Sequence, residues 1–491
     1  MSDARTHVTL RTGAYADSVR LLQVSRTVQG VTGVAAAQVA MATPLNVEVL
    51  EGMGFPLPQG ASPNDMVVAV RLADDADEGA LDRALAAVDE ALTARAASGP
   101  TEEEPHRTTA TALRDAPGSL VLVSVPGASA VAEAMDALDA GHDVMVFSDN
   151  VPVEQEVALK TVAGDRGLLV MGPDCGTAVV GGVGLGFANT TAPGPVGIVA
   201  ASGTGCQQLL CLLDHAGVGV GAALGVGGRD LSAAVGGAST REALRRLDAD
   251  PSVELIVVVS KPPAEEVAAA LREYAAGLGT PVELALLGAG QPDLTAAAEA
   301  VLRRLGRDVP AWPVQGTAGP ATGAMLRGLF VGGTLCDESM LIATEALGPV
   351  RSNIPLSPEL ALGDDLDAAL TADGPTMVDF GDDALTAGRA HPMIDPTLRL
   401  EQLARVADDP RTGVILMDVV LGHGAEPDPA ALLAPAIAAA APPVVVAVVG
   451  TDADPQDRAR QAAALAEAGA EVHLSNAAAT RRALELLEDA R

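Results

Sequence analysis

Val196-Gly197-Ile198-Val199-Ala200-Ala201-Ser202-Gly203-Thr204-Gly205-Cys206 carries an apolar run into a glycine-punctuated turn, and a helix-period stretch follows to residue 217. A strand with both faces covered reads as a continuous apolar run, and a helix that starts directly after it is half of a parallel crossover unit. The pattern repeats on both sides of this stretch, with apolar runs at 120–125, 143–148, 168–171, 222–226, 255–260 and 282–287. The intervals between them are long enough for crossover helices, which predicts parallel, doubly wound sheets with room for two α/β units.

Working outward, residues 7–95 show strand patterns at 8–12, 33–42 and 65–72 and helix patterns at 16–28 and 77–94. That order suits a ferredoxin-like α+β domain over 1–96. Gly99, Pro100 and the run Thr101-Glu102-Glu103-Glu104 then mark an exposed linker over 97–110. The α/β region divides into a Rossmann-like domain at 111–192 and a flavodoxin-like domain at 193–307. A Pro/Gly-rich connector with helices is expected at 308–374, and a last flavodoxin-like domain at 375–491. The last has strands near 377–380, 414–418, 444–449 and 471–474, with helices at 396–408, 429–440 and 455–468.

At about 150 residues per domain, 491 residues suggest several cores rather than one. The chain has 31 Lys plus Arg against 64 Asp plus Glu, a net charge of −33, so nucleic acid and anionic membranes are excluded as favourable partners. Apolar residues make up 48% and aromatics only 2%, so the core must be built from Ala, Val and Leu. The most apolar stretch, 435–450, is broken by Pro442 and Pro443 and is too short to span a bilayer. Asp3, Arg5 and His7 precede any apolar run, which is unlike a secretory signal, and a cytoplasmic location is expected. The four cysteines form no C-x-x-C pair and read as reduced thiols.

The turn Ser202-Gly203-Thr204-Gly205 can aim free backbone N–H groups and a positive helix end at an anion, although a tight turn without ligand has the same sequence. Gly381-Asp382-Asp383 repeats the arrangement after the strand at 377–380, with a helix expected over 384–388, so two helix starts, one from each half of the chain, are expected to face one site. The two carboxylates cradle a phosphate with other donors or simply cap that helix. The loops Gly172-Pro173-Asp174-Cys175-Gly176 and Gly225-Val226-Gly227-Gly228-Arg229-Asp230 follow strands, where open α/β sheets bind ligands. Asp174, Cys175, Gly176, Gly227 and Gly228 are therefore substrate-loop candidates, with a buried inert thiol the commoner fate for Cys175. Arg229 can reach an oxyanion bidentately or pair with Asp230 or a neighbouring loop. The densest cluster is Gly388-Arg389-Ala390-His391-Pro392-Met393-Ile394-Asp395-Pro396-Thr397-Leu398-Arg399, where Asp395 can cap a helix and Arg389, His391 and Arg399 are ligand candidates. No His, Cys or carboxylate spacing gives a closed metal site. Gly181-Gly182-Val183-Gly184-Leu185-Gly186 does not open a long helix and is not read as a dinucleotide fingerprint.

These motifs, in this order, resemble the FdrA proteins, relatives of the succinyl-CoA synthetase fold. The matching stretches include Gly13-Ala14-Tyr15-Ala16-Asp17-Ser18-Val19, Met41-Ala42-Thr43-Pro44, 171–176, 200–205, 227–231, 260–263, Gly381-Asp382-Asp383 and 389–399. The resemblance implies that 118–290 corresponds to most of the synthetase α subunit and 375–488 to the C-terminal ligase domain of its β subunit. It also implies a subunit of a multi-component carbamoyltransferase of purine or allantoin breakdown, passing a carbamoyl group between oxamate and phosphate. Carbamoyl phosphate or phosphate is then the ligand, CoA a further possibility, and the other subunits the partners, with homo-oligomers left open. In that picture Ser202 to Gly205 and Gly381 to Asp383 cradle phosphate, while Arg229, Lys261, His391 and Arg399 stabilise charge. The synthetase carries phosphate on a histidine, but 287–300 contains none, and Lys261 stands where an acidic residue supports that histidine. An acyl-CoA synthetase subunit that recruits a nucleotide-binding partner is the enzymatic alternative, and a non-catalytic scaffold or metabolite sensor the other.

Overall fold

The computed structural model describes residues 5–16, 18–58, 60–73, 76–77, 79–93, 106–363, 365–386 and 389–489. Most of the linker expected at 97–110 lies outside the described residues, as do Asp17 and Gly388. The chain divides into two units, residues 1–106 with 388–390 and the remainder.

The N-terminal unit runs β1 (Thr6–Arg11), α1 (Ser18–Gln29), β2 (Val34–Met41), α2 (Pro44–Gly52), β3 (Met66–Leu72) and α3 (Ala80–Thr93). β3 lies between β1 and β2 and is antiparallel to both. Its side chains alternate between two cores: Met66, Val68 and Val70 pack with Leu21, Val24 and Val88, while Val67 and Ala69 pack with Leu50 and Phe55. This is the small ferredoxin-like α+β segment that the alternating pattern predicts.

The second unit opens with α4 (Thr109–Asp115), β4 (Val121–Val123), α5 (Gly127–Asp139), β5 (Val144–Val146), α6 (Val153–Asp165) and β6 (Val170–Met171), a parallel sheet ordered β4-β5-β6. There follow β7 (Thr177–Val180), β8 (Val183–Gly186), β9 (Val196–Ala201), α7 (Gly203–His215), β10 (Val220–Gly225), α8 (Ala238–Asp248), β11 (Leu255–Ser260), α9 (Glu265–Ala276), β12 (Val282–Leu286) and α10 (Leu294–Arg304). They form a six-stranded sheet ordered β12-β11-β9-β10-β7-β8, parallel through its first four strands. The glycine run at 181–186 belongs to the β7–β8 hairpin, whose turn residues Gly181 and Gly182 have φ of 58° and 77°.

A seven-stranded sheet, β13-β19-β18-β17-β14-β16-β15, completes the chain. Its elements are β13 (Val314–Gln315), β14 (Met325–Phe330), α11 (Gly333–Leu347), β15 (Arg351–Ser352), α12 (Leu366–Leu370), β16 (Thr376–Asp379), α13 (Asp383–Thr386), α14 (Thr397–Asp408), β17 (Thr412–Val420), α15 (Pro429–Ala439), β18 (Val444–Val449), α16 (Arg458–Glu467), β19 (Glu471–His473) and α17 (Asn476–Asp489). The expectation of a connector with helices at 308–374 is corrected here, because β14 is an interior strand paired in parallel with β16 and β17. Arg327 and Gly328 interrupt its apolar run and hide it from periodicity. The Arg327 guanidinium is fully buried and donates to the carbonyls of Ala372 and Gly374 and to Thr376.

Helices α7, α10, α11 and α17 pack on one another and share one continuous core with both large sheets, with Leu209, Leu213, Val301, Leu335, Met340 and Leu484 among its residues. Chain order reverses direction at β9 in the first sheet, with β10 on one side and β11 on the other. It reverses at β14 in the second sheet, with β16 and β17 on opposite sides. Ligand crevices of open α/β sheets form at such switch points, beyond the carboxyl ends of the strands. α7 leaves the first and α11 the second.

Candidate functional site

Ser202 is the N-cap of α7: its backbone is extended and its Oγ accepts the Gly205 N–H at 2.9 Å. The same Oγ lies 2.6 Å from Thr334 Oγ1, in the first turn of α11. A Cβ built on Gly332 would come within 2.9 Å of Thr204, and one on Gly205 within 3.1 Å of Thr334. Glycine at both positions is what allows the two helix starts to touch. Ser202 and Thr334 are buried, and the N–H groups of Gly203, Thr204, Gly333, Thr334 and Leu335 have no hydrogen-bond partner among the described residues. The first N–H groups of a helix are unsatisfied by geometry and carry its positive end, so two such ends together form a region of strongly positive potential.

α11 has no side-chain cap of its own. Asp418 of β17 instead accepts the N–H groups of Val331 and Gly332 at 2.8 and 2.9 Å, fixing the turn just before the helix. Arg399 of α14 holds that carboxylate, with Nη1 donating to Asp418 Oδ1 at 3.1 Å and to its carbonyl at 2.7 Å. Burial pushes the Asp418 carboxyl up to about 6 against the pull of Arg399 and the two N–H groups.

Lys261 extends from the end of β11 toward α11. A Cβ on Gly333 would lie 2.9 Å from Lys261 Nζ and 2.7 Å from Asp379 Oδ2, so the missing side chain lets ammonium and carboxylate close on the helix start. Lys261 Nζ makes no hydrogen bond or ion pair among the described residues. Burial works against its charge, but Asp337, Asp379 and Asp174 more than offset this and raise its pKa. Burial in turn raises Asp379 to about 7 and Asp337 to about 6, with Lys261 opposing each. At neutral pH Asp379 is thus only partly charged and repels an incoming anion less than a full carboxylate would. Asp379 is rigidly placed: Oδ1 accepts the Gly381 N–H at 2.9 Å, and the Asn353 amide bonds its backbone N–H and carbonyl.

The sequence candidates separate clearly. Ser202, Gly203, Thr204, Gly205 and Lys261 meet at the helix starts, and Arg399 supports them through Asp418. His391 sits one step away, its Nε2 2.8 Å from the position of a Cβ on Gly381. Gly381, Asp382 and Asp383 do not form the second helix start. α13 spans only Asp383–Thr386, Asp382 Oδ1 accepts the Ala384 N–H as a local cap, and Asp383 is exposed. The helix that meets α7 is α11, whose signature Val331-Gly332-Gly333-Thr334 after a strand was available in the sequence. Asp337 in α11 and Asp379 and Asp418 in strands were likewise missed, since an isolated carboxylate has no spacing signal. Arg229 is tied elsewhere: Nε donates to buried Glu156 at 3.1 Å and Nη2 to the Val151 carbonyl at 2.7 Å. The loops at 172–176 and 225–229 close on each other, with Gly227 (φ 91°) against the Pro173 carbonyl and Gly228 near Asp174 Oδ2. Asp174 has the left-handed φ of 56°. Gly176 lies beside Gly203, Cys175 is a buried thiol whose pKa burial raises, and Arg389 is exposed and lies outside this unit.

Comparison with known proteins matches residues 329–486 to the CoA-ligase family and residues 1–108 to the AllF heavy metal-associated domain. The uncharacterized protein YahF of Escherichia coli K12 is 38% identical over 94% of this chain and 95% of its own length. Subunit alpha 2 of an ADP-forming succinate–CoA ligase from Archaeoglobus fulgidus is 31% identical over 35% of this chain, which spans 63% of that subunit. The solved dinucleotide-forming acetyl-coenzyme A synthetase 1 of Ca. Korarchaeum cryptofilum, in complex with phosphate and ADP, aligns with 80% of this chain and 89% of its own at 16% identity and a TM-score of 0.31. Residues 1–108 contain no cysteine, and their histidines are His7 and His106, so they offer no thiolate to a soft heavy metal. Among the described residues no group of His, Cys, Asp or Glu is placed to hold a metal ion, and no helix is long and apolar enough to cross a membrane.

Proposed function

The chain belongs to the family of Escherichia coli YahF, FdrA-like proteins with succinyl-CoA synthetase-like domains, and from that premise we propose that it is an acyl-CoA ligase-type subunit whose site holds an acyl phosphate. The observation that carries this reading is the contact of two buried helix starts at Ser202 and Thr334 beside the Lys261 ammonium, which has no hydrogen-bond or ion-pair partner among the described residues. The free N–H groups of Gly203, Thr204, Gly333 and Thr334 bind the phosphoryl oxygens. Lys261 neutralises the phosphate that departs when the acyl group moves. These groups are fixed before the reaction, so charge forming on the leaving oxygen meets oriented donors without reorganisation. CoA, when bound, supplies the thiol that accepts the acyl group. No histidine stands in 287–300 to carry phosphate, so the acyl phosphate itself links the phosphate and acyl steps. Recruitment of a separate nucleotide-binding subunit completes the ligase in this reading.

Carbamoyl transfer between oxamate and phosphate, which the FdrA resemblance implies, has no counterpart in the names of the relatives above, and the acyl-CoA reading takes its place. Both predict an acyl phosphate pocket and part over the acceptor. The test is calorimetric titration of inorganic phosphate, acetyl phosphate, carbamoyl phosphate and CoA into the full chain and into Lys261→Met. Phosphate and acetyl phosphate are expected to bind. A hydrogen bond to a charged group is worth about 1.5–3 kcal/mol, so the variant should bind roughly 10- to 150-fold more weakly. Absence of phosphate and acyl phosphate binding overturns the reading. Binding of carbamoyl phosphate with acetyl phosphate and CoA refused turns it to carbamoyl transfer.

A further inference from the structure

His391 is a histidine beside the candidate site, and its hydrogen bonding decides what it can do there. The backbone N–H of Met393 donates to His391 Nδ1 at 3.2 Å. A backbone N–H can only donate, so Nδ1 presents its lone pair and the single proton of the neutral ring lies on Nε2. The turn that makes this contact is itself fixed, because the His391 carbonyl accepts the N–H groups of Ile394 and Asp395 and Met393 is buried. The ring packs on Phe187, with centroids 5.5 Å apart. On its other edge Nε2 faces Gly381, at a point that also lies 2.8 Å from the Val331 carbonyl oxygen and 3.1 Å from Asp379 Oδ1. Asp379 thus turns one oxygen toward His391 and the other toward Gly333 and Lys261. Nε2 has no hydrogen-bond partner among the described residues.

We infer that His391 is a hydrogen-bond donor of fixed tautomer, presenting Nε2–H to the carbonyl oxygen of the bound acyl group, and is not a phosphate carrier. The inference rests on the acyl phosphate reading. It deepens it by naming the group that meets the second end of the ligand. Neither ring nitrogen has a lone pair free for phosphoryl capture: one is engaged by Met393 and the other carries the proton. When the thiolate of CoA adds to the acyl carbon, a C–S bond forms and the carbonyl π electrons move onto oxygen, and His391 stabilises that charge while its proton stays on Nε2. As the carbonyl re-forms, the bond to the phosphate oxygen breaks and phosphate leaves with the electron pair. Burial also pushes the His391 pKa down to about 4, so the ring is neutral under working conditions and has a second reason not to act as an acid. A neutral imidazole held as an electrophile is an established device at carbonyl centres.

The experiment is nitrogen NMR on the full, ¹⁵N-histidine-labelled chain between pH 6 and 8, with acetyl phosphate as the probe. The His391 ring is assigned by loss of its signals in His391→Gln or, should that variant not fold, by its proximity to Phe187. The expected spectrum has Nε2 protonated and Nδ1 unprotonated throughout, with Nε2–H moving when acetyl phosphate is added. A ring protonated on Nδ1, an imidazolium at pH 7, or acid-labile phosphate on His391 after incubation with labelled acetyl phosphate overturns the inference. Binding of acetyl phosphate that leaves Nε2–H unmoved defeats the donor role alone. Failure of acetyl phosphate to bind, with the tautomer as described, defeats the functional reading and the donor role with it. His391→Ala should lose about 10²- to 10³-fold in acetyl transfer from acetyl phosphate to CoA, as removal of one oxyanion donor does elsewhere.

Discussion

Replacing Gly333 by alanine adds one carbon where two charged groups converge. Its Cβ would stand 2.7 Å from Asp379 Oδ2 and 2.9 Å from Lys261 Nζ, both inside van der Waals contact. Lysine can swing its flexible end away. Asp379 cannot easily do so, because Gly381 holds Oδ1 and Asn353 holds its backbone on both sides. The ammonium therefore moves, and its bond to the phosphate is lost. That bond is worth about 1.5–3 kcal/mol, so affinity for acetyl phosphate should fall roughly 10- to 150-fold. The fold should lose little, since Gly333 opens α11 without a positive φ and alanine favours the helix by up to about 1 kcal/mol. Calorimetry for affinity and thermal unfolding for stability separate the two effects. Full affinity at unchanged stability would show that nothing binds between Lys261 and the helix start.

Further expectations concern charge. The carboxyls of Asp337, Asp379 and Asp418 have folded pKa values raised above the unfolded value of about 3.9, so the folded state binds more protons than the unfolded one and their contribution to stability declines as pH rises from about 4 to 7. Asp379→Asn should accordingly raise Tm at pH 8 more than at pH 5; an equal shift at both values would contradict the burial argument. Arg399→Met strands the Asp418 carboxylate in the core and should cost about 3–5 kcal/mol in urea unfolding, with a loss below about 1 kcal/mol as the contrary result. Arg229→Ala should leave acetyl phosphate affinity within about threefold while Lys261→Met does not, because Arg229 is committed to Glu156. Equal losses in the two variants would place Arg229 on the ligand.

The strands that were legible from sequence share one property: both faces are buried, so β9, β11 and β18 appear as apolar runs, as does β17 from Val414 to Met417. β14 was illegible because the fold buries a charged side chain in it, and Arg327 reads as surface until the carbonyls of Ala372 and Gly374 are seen to receive it. Missing β14 concealed α11, and the expectation of two converging helix starts attached itself to the wrong second partner. A capping hydroxyl at a strand end followed by glycines was a sound local signal, as Ser202 shows, but a capping carboxylate such as Asp382 looks the same ahead of a single turn as ahead of a long helix. Carboxylates that act from within strands, Asp379 and Asp418, have no local signature, because their roles come from neighbours that are distant along the chain, such as Lys261 with Asp379.

The helix layer shared by the two large sheets makes the binding determinants the joint property of two stretches of chain, residues 196–261 and 331–418. Neither stretch can be perfected alone: a substitution that improves the fit of α7 to its own sheet shifts Ser202 against Thr334 and degrades the joint. Natural variation in this protein should therefore be paired across that seam, and grafting either half from a relative would carry over its stability but not its affinity.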